Sequence, residues 1–260
     1  MRRFVSLLLV LLSLPVLQAQ PINSFVIDNF NTANGTAADP VLDSNGVWTG
    51  LNPGPSVLGN YRVIGNYLTE VLIPTATFTN STSVVSGAFS INNTSLTRSV
   101  GQVIWQGSDV VPNTDAVIAH PANFNLGGVD FNSLLSSPNF NFQWSVINAD
   151  GRNWEYTIRA YTGDASNYFE GVIASDQSEL VLSMPKSAFT AVGSPNWSSI
   201  DAISFSTTHT DGLLGGDLAV DYIQVAVPEP SAYLMIGLTV AAVGCYAYNK
   251  KRKAKRLNIA

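Results

Sequence analysis

Two consecutive runs of alternating apolar residues constrain the fold of this chain more than any other feature. Within residues 140–146 and again within 154–160, every second side chain is apolar: Phe140, Phe142, Trp144 and Val146, then Trp154, Tyr156, Ile158 and Ala160. A period of two places each set on one face of a β-strand. Asp150-Gly151 lies between the runs and predicts a tight turn that joins the two strands as a hairpin.

Shorter segments of the same kind recur between residues 21 and 227. Strands are expected near residues 25–30, 61–73, 85–91, 180–184 and 218–225. The last segment is apolar at nearly every position, which predicts a central strand covered on both faces. The region has no sustained helical periodicity. About ten short strands in one domain predict an all-β fold, an antiparallel β-sandwich spanning residues 21–227.

The N-terminus has the three regions of a secretory signal peptide, residues 1–20. Arg2 and Arg3 precede an apolar stretch at 4–14, which Pro15 ends, and Ala19 provides a cleavage point. The apolar stretch is shorter than the about 20 residues that a membrane-spanning helix needs. We therefore expect the following domain to be exported.

The C-terminus has three parts in a fixed order. Val227, Pro228, Glu229 and Pro230 come first, and an uncharged stretch at 231–248 follows. Six cations follow near the end of the chain: Lys250, Lys251, Arg252, Lys253, Lys255 and Arg256. The uncharged stretch predicts one transmembrane helix at about 232–248, and the cations predict a cytoplasmic C-terminus. A permanent single-pass anchor and a processed sorting signal both fit this topology.

This tail resembles the PEP-CTERM sorting signal of Gram-negative bacteria, over residues 228–256. The resemblance implies a partner, an exosortase-type membrane enzyme that removes the tail during export. It also implies a role in exopolysaccharide or biofilm. The expected location is the inner membrane with the ectodomain in the periplasm, or the outer surface or extracellular matrix after processing.

The predicted ectodomain is similar to the galactose-binding-like jelly rolls of many PEP-CTERM proteins. The similarity lies in the segments FVIDNF, LVLSMPKSAF and LAVDYIQV, and in residues 126–163. It implies a structural Ca²⁺ between the first and last strands. Asp28 and Asp221 stand at the matching places, with Asn29, Asn31 and Asp217 as further oxygen donors. Solvated, turn-forming side chains are the alternative interpretation.

Charge and aromatic residues indicate what the ectodomain binds. Residues 21–227 carry five Lys and Arg against 17 Asp and Glu, a net charge of −12, which argues against nucleic acid as a partner. Trp48 and Trp197 lie in segments rich in Gly, Pro and Asn, and their rings could stack on sugars. Such tryptophans could instead cap the end of the sandwich, whereas Trp144 and Trp154 are in phase with strand faces and are expected in the core.

No catalytic motif is present in the sequence. The two histidines, His120 and His209, are far apart, and the sequence has no G-x-S-x-G, HExxH or P-loop pattern. The single cysteine, Cys245, excludes an intramolecular disulfide. The sequence therefore predicts a non-enzymatic, exported envelope or matrix protein. The alternatives are a carbohydrate-binding module or a glycosidase, which would need two carboxylates facing each other across a groove.

Overall fold

The computed structural model describes residues 24–32, 34–40, 42, 45–73, 80–112 and 117–228. These residues form 14 β-strands, one short α-helix (α1, Phe131–Leu134) and two 3-10 turns (Leu58–Asn60 and Lys186–Ala188). The strands are β1 Ser24–Asp28, β2 Asn34–Ala38, β3 Val47–Leu51, β4 Arg62–Val71, β5 Ser81–Val85, β6 Ala88–Asn93, β7 Thr97–Trp105, β8 Asn141–Asn148, β9 Trp154–Tyr161, β10 Tyr168–Ser175, β11 Leu180–Pro185, β12 Thr190–Val192, β13 Ala202–His209 and β14 Gly216–Ala226. The predicted all-β class is confirmed.

Two antiparallel sheets pack face to face as a sandwich, as predicted. Sheet A has the strand order β11-β8-β14-β6-β5-β2, and β1 also pairs with β14. Sheet B has the order β12-β10-β9-β13-β7-β4-β3. In the described ranges, no helix is long and apolar enough to cross a membrane. The predicted signal peptide and the predicted helix at 232–248 lie outside those ranges.

The two alternating aromatic runs meet in the centre of the sandwich. Trp144 of β8 projects from sheet A, and its ring centroid lies 5.4 Å from Tyr156 and 5.8 Å from Phe205, both of sheet B. All three side chains are fully buried. The inner faces predicted from the period of two are therefore confirmed, and they form one core between the sheets.

The predicted hairpin between these runs is wrong, although the turn exists. Asp150 and Gly151 both have positive φ, and the Arg152 N–H donates to the Ala149 carbonyl at 2.9 Å. The chain then crosses to the other sheet, because β8 pairs with β11 and β14 while β9 pairs with β10 and β13. Crossing places the two apolar rows opposite each other, so each row buries the other.

Strand β14 is central in sheet A, but only one of its faces is buried. It pairs with β8 on one side and with β6 and β1 on the other. Leu218, Val220, Ile223 and Val225 are buried, whereas Asp221 on the opposite face is exposed. The predicted cover on both faces is therefore wrong. Ala219 and Tyr222 are apolar without being core residues.

The segment at 85–91 forms a hairpin instead of one strand. Ser86 and Gly87 have φ values of 55° and 82° and turn the chain between β5 and β6. Such left-handed residues suit the tight turns that match the twist of paired strands. For the segment at 61–73 the sequence allows one strand or a hairpin broken near Gly65-Asn66, and the structure has one strand, because β4 runs through Gly65 without a break.

Candidate functional site

The outer face of sheet B collects polar side chains from three neighbouring strands. The register places Thr208 of β13 opposite Glu155 of β9, and Ser206 opposite Thr157. Ser206 is also opposite Gln102 of β7. Tyr156, between Glu155 and Thr157, and Phe205, next to Ser206, point into the core, so these polar groups share the outer face.

A segment that follows β7 lies over part of this face, and we call residues 117–126 the strap. The side-chain amide of Gln102 donates to the Ala119 carbonyl at 2.8 Å and accepts from the Ala119 N–H at 2.9 Å. The Gln106 Oε1 accepts from the Ala122 N–H at 2.9 Å. Both glutamines are buried. Each amide thus satisfies backbone groups of the strap as a neighbouring strand would.

Aromatic packing holds the strap at the β9–β10 side of the sheet. The His120 ring lies 5.7 Å from both Tyr161 and Tyr168, and the Phe124 ring lies 5.8 Å from Tyr161. Burial lowers the pKa of His120, so its ring is neutral at pH 7 and packs as an aromatic group. The strap is therefore a packed wall on this face.

A cleft of about 170 Å³ lies between the strap and the sheet. Val117 and Ile118 of the strap line it together with Val100, Glu155, Thr157, Ser206, Thr207 and Thr208. The Ser206 side chain is 1% exposed, and within the described part of the chain its Oγ has no hydrogen-bond partner. An unpaired buried hydroxyl is unfavourable, and this one lies behind the wall of the cleft beside Thr157 and Thr208.

Trp48 lies on the same outer face, on β3 and not in the loop that the sequence suggested. It is paired opposite Gly65, and a Cβ placed on Gly65 would lie 2.3 Å from its Cε3 and Cζ3 atoms. The indole therefore lies across Gly65, which must lack a side chain, and Trp48 is half-buried. Tyr67 lies beside Trp48, since a Cβ placed on Gly46 would lie 3.1 Å from Trp48 Nε1 and 3.4 Å from Tyr67 Cδ2.

Register connects these aromatic residues to the cleft. Tyr67 of β4 is opposite Val100 of β7, and Glu155 lies two strands further, on β9. Three strand spacings correspond to about 14 Å. Trp48, Tyr67 and the cleft thus form one continuous strip that runs across the strands.

Trp197, the other predicted ligand residue, has a structural position. Its ring is stacked on Phe169 with centroids 4.0 Å apart and an interplanar angle of 7°. Phe140 and Phe189 contact it edge-on at 5.3 and 5.4 Å. Trp197 packs against the core at the edge of the sandwich, which agrees with the end-capping alternative. The structure does not bring it to the strip that contains Trp48.

Asp28, a predicted calcium ligand, is instead part of a buried ion pair between the sheets. Its Oδ2 lies 3.0 Å from Arg62 Nε and accepts from Trp105 Nε1 at 2.9 Å, and its Oδ1 accepts from the Phe30 N–H at 2.8 Å. Burial raises the pKa of Asp28 and lowers the pKa of Arg62, in each case against the effect of the partner's charge. Desolvation of both charges therefore opposes their attraction.

The residues predicted to share a calcium ion do not fit a common site. Asp28 is inside the sandwich with its carboxylate already engaged, and Asp221 is on the outer face of sheet A. Asn29 accepts from the Asn31 N–H, and Asp217 accepts from the Asn93 N–H. Within the described ranges, no three His, Cys, Asp or Glu residues cluster to hold a metal. Calcium binding stays a prediction without a site at this pair.

Only the start of the predicted sorting motif is described. Val227 packs against the core directly after β14, and Pro228 is exposed. Glu229, Pro230 and the six C-terminal cations lie outside the described residues.

The two histidines lie in separate surroundings. His209 is buried beside Trp154, with ring centroids 5.3 Å apart, and its Nδ1 lies 3.2 Å from Asp211 Oδ1. Burial lowers the pKa of His209 despite Asp211. Among the described residues that line the cleft, Glu155 is the sole carboxylate. The facing pair that the glycosidase alternative requires is thus not formed there.

Sequence reasoning did not identify Gln102, Thr157 or Ser206 as site residues. A signal was nevertheless present, because Ser204, Ser206 and Thr208 alternate with the apolar Ile203 and Phe205. Such alternation marks a strand with one polar face. It does not reveal that this polar face would be mostly buried beneath the strap.

The chain was compared with known proteins. No protein-family model matches it, and no curated protein does. Among solved structures, it is similar to the solution structure of CtCBM11, with a TM-score of 0.37 and 10% identity over 81% of this chain and 99% of the other. It is also similar to the agarase AgWH50C, with a TM-score of 0.36 and 11% identity over 74% of this chain and 25% of the other. A third similarity is to a point mutant of the family 29 carbohydrate-binding module CBM29-2, with a TM-score of 0.29 and 12% identity over 74% of this chain and 91% of the other. TM-scores this low carry no argument about function.

Proposed function

We propose that the sandwich is a non-enzymatic polysaccharide-binding module whose site is the strip on the outer face of sheet B. The observation that carries this proposal is the cleft of about 170 Å³, which Ser206 lines on the same outer face of sheet B as Trp48. Thr157 and Thr208 add hydroxyl groups beside it, and Trp48 and Tyr67 add aromatic surface further along the strip. Sugars are recognised by this combination of placed polar groups and flat apolar rings.

Replacing Trp48 with Ala is expected to weaken polysaccharide binding by about tenfold or more, since aromatic anchors commonly contribute over about 1 kcal/mol each. Affinity electrophoresis in gels containing soluble polysaccharides, followed by calorimetry on those that retard the protein, measures the effect. The matched control is Trp197→Ala, which should lower thermal stability and leave the affinity unchanged. If the control lost binding while Trp48→Ala kept it, the site would lie elsewhere.

We further propose that the protein is exported and displayed through its C-terminal tail. The proposal comprises a galactose-binding-like ectodomain, an inner-membrane intermediate and an exosortase-type processing partner. Its support is the order of Pro228-Glu229-Pro230, the uncharged stretch and the six cations. The exposed Pro228 directly after the half-buried Val227 is compatible with a motif that an enzyme can reach. A polysaccharide-binding domain delivered in this way would associate with exopolysaccharide at the cell surface or in the matrix.

Changing Pro228 and Glu229 together to Ala is expected to leave the protein unprocessed in the inner membrane. The processing enzyme would lose its recognition element, while the uncharged stretch and the cations would still anchor the chain. Immunoblotting of inner-membrane, outer-membrane and medium fractions reports both size and location. Ser231→Ala serves as a neighbouring control. An unchanged size and distribution in the double variant would contradict the sorting proposal.

A further inference from the structure

We propose that Glu155 makes the cleft selective for uncharged polysaccharides over polysaccharides that carry carboxylates. This inference rests on the proposed function and names the class of ligand for the same site. It follows from the placement of one carboxylate in the cleft and from the pairing of the cations around it.

Glu155 is the charged group that a ligand in the cleft meets. It projects from β9 on the outer face, opposite Thr208 and two residues from Thr157. Among the residues that the structure describes, none forms an ion pair or hydrogen bond with its carboxylate. Both oxygens are therefore available to accept hydrogen bonds from a ligand. Hydroxyl groups of a sugar are suitable donors, and hydrogen bonds to an ionised carboxylate are stronger than neutral ones.

Two arginines on the same face, Arg159 and Arg98, are each paired with another acid. Arg159, four residues from Glu155 on β9, has its Nε 2.6 Å from Glu170 Oε2 on β10. Arg98, two residues from Val100 on β7, pairs with Glu70 on β4. Neither arginine is thus an uncompensated partner for a ligand's carboxylate. An anionic sugar would meet the Glu155 charge without a compensating cation.

Two repulsive contributions of different range follow from this arrangement. The net charge of −12 on residues 21–227 repels any polyanion at long range, and salt screens that repulsion beyond a Debye length of about 8 Å at physiological ionic strength. Glu155 acts within the cleft at contact distance, where screening is weaker. Discrimination that persists at high salt therefore reports on the cleft and not on the overall charge.

The test uses the full chain in a detergent without a sugar headgroup. Its affinity for mixed-linkage β-glucan and galactomannan is compared with its affinity for alginate and polygalacturonate, at 0.15 and about 0.5 M NaCl. We expect at least one neutral polymer to bind about tenfold or more tightly than either polyuronate at both salt concentrations. Glu155→Gln should lower the affinity for the neutral polymer. The affinities for the polyuronates should then lie within about threefold of that value. Asp221→Asn removes the same charge from the outer face of sheet A and should preserve the wild-type ratio.

The possible outcomes separate this inference from the function on which it rests. Polyuronates that bind the wild-type chain as well as the neutral polymers would overturn the selectivity and leave polysaccharide binding intact. A wild-type preference that Glu155→Gln does not change would overturn the role of Glu155. Failure to bind any polysaccharide, with the chain shown to be folded by circular dichroism, would overturn the proposed function itself.

Discussion

Replacing Asp28 with Asn is expected to lower the free energy of unfolding of residues 21–227 by about 3–5 kcal/mol. The single amide oxygen of Asn can still accept from Trp105 or from the Phe30 N–H, but it leaves the Arg62 charge unpaired. Both Asp28 and Arg62 are 0% exposed. An uncompensated buried charge carries this penalty because water cannot reach it. Urea denaturation followed by tryptophan fluorescence measures the change.

A second ion pair in the same sandwich provides the control for this prediction. Glu70 pairs with Arg98, and their side chains are 45% and 26% exposed. Glu70→Gln should therefore change the unfolding free energy by no more than about 1 kcal/mol. Changing Asp28 to Asn and Arg62 to Met together should recover part of the loss, since no buried charge remains. A single Asp28→Asn variant as stable as Glu70→Gln would show that the Arg62 charge is solvated.

Replacing Trp144 with Ala is expected to lower the free energy of unfolding by about 3–5 kcal/mol and the melting temperature by about 6–20 °C. The indole is fully buried and is the contact through which β8 meets Tyr156 and Phe205 of the opposite sheet. Ala would leave a cavity between the sheets that rigid neighbouring strands cannot close. Differential scanning calorimetry gives the melting temperature.

Trp144→Phe is the matched variant. Within the described residues, the Trp144 Nε1 is buried without a hydrogen-bond partner, so removing it relieves an unfavourable polar group while most of the ring is kept. We expect the loss of unfolding free energy in the Phe variant to be less than half of the loss in the Ala variant. Equal losses would mean that Nε1 has a partner, such as a buried water, whose hydrogen bond matters as much as the packing.

The sequence predicted burial along individual strands better than it predicted their partners. Alternation assigned Trp144 and Tyr156 to inner faces because apolar and polar side chains alternate along a strand that has one solvent-exposed face. It did not assign them to different sheets, since a hairpin and a crossing between sheets both bury one face of each strand. The Asp150-Gly151 turn is compatible with both arrangements. The choice depends on the actual partners: β10, which directly follows β9, and β11, β13 and β14, which come later in the chain.

The candidate site was predictable only in part. Trp48 was named because it is a large aromatic residue among turn formers, although it lies on a strand. Ser206 and Thr157 resemble many other hydroxyl residues in the chain, and only the pairing of β13 with β9 brings them together. Asp28 was assigned to calcium because the resemblance to galactose-binding-like jelly rolls implies an ion between the first and last strands. Its true partner, Arg62, cannot be identified without knowing that β1 and β4 face each other across the core.

By itself the sequence determined the all-β class, the antiparallel sandwich and the identity of the inner faces, because these follow from local periodicity and turn chemistry. Its two ends also carry the basis of the export proposal, the signal peptide at residues 1–20 and the tail at 228–256. Tertiary structure alone decided which strands pair, where the strap lies and which hydroxyl groups of the described residues are buried without a partner. Those features arise from contacts between residues far apart in the chain, and no local pattern encodes the distance between them.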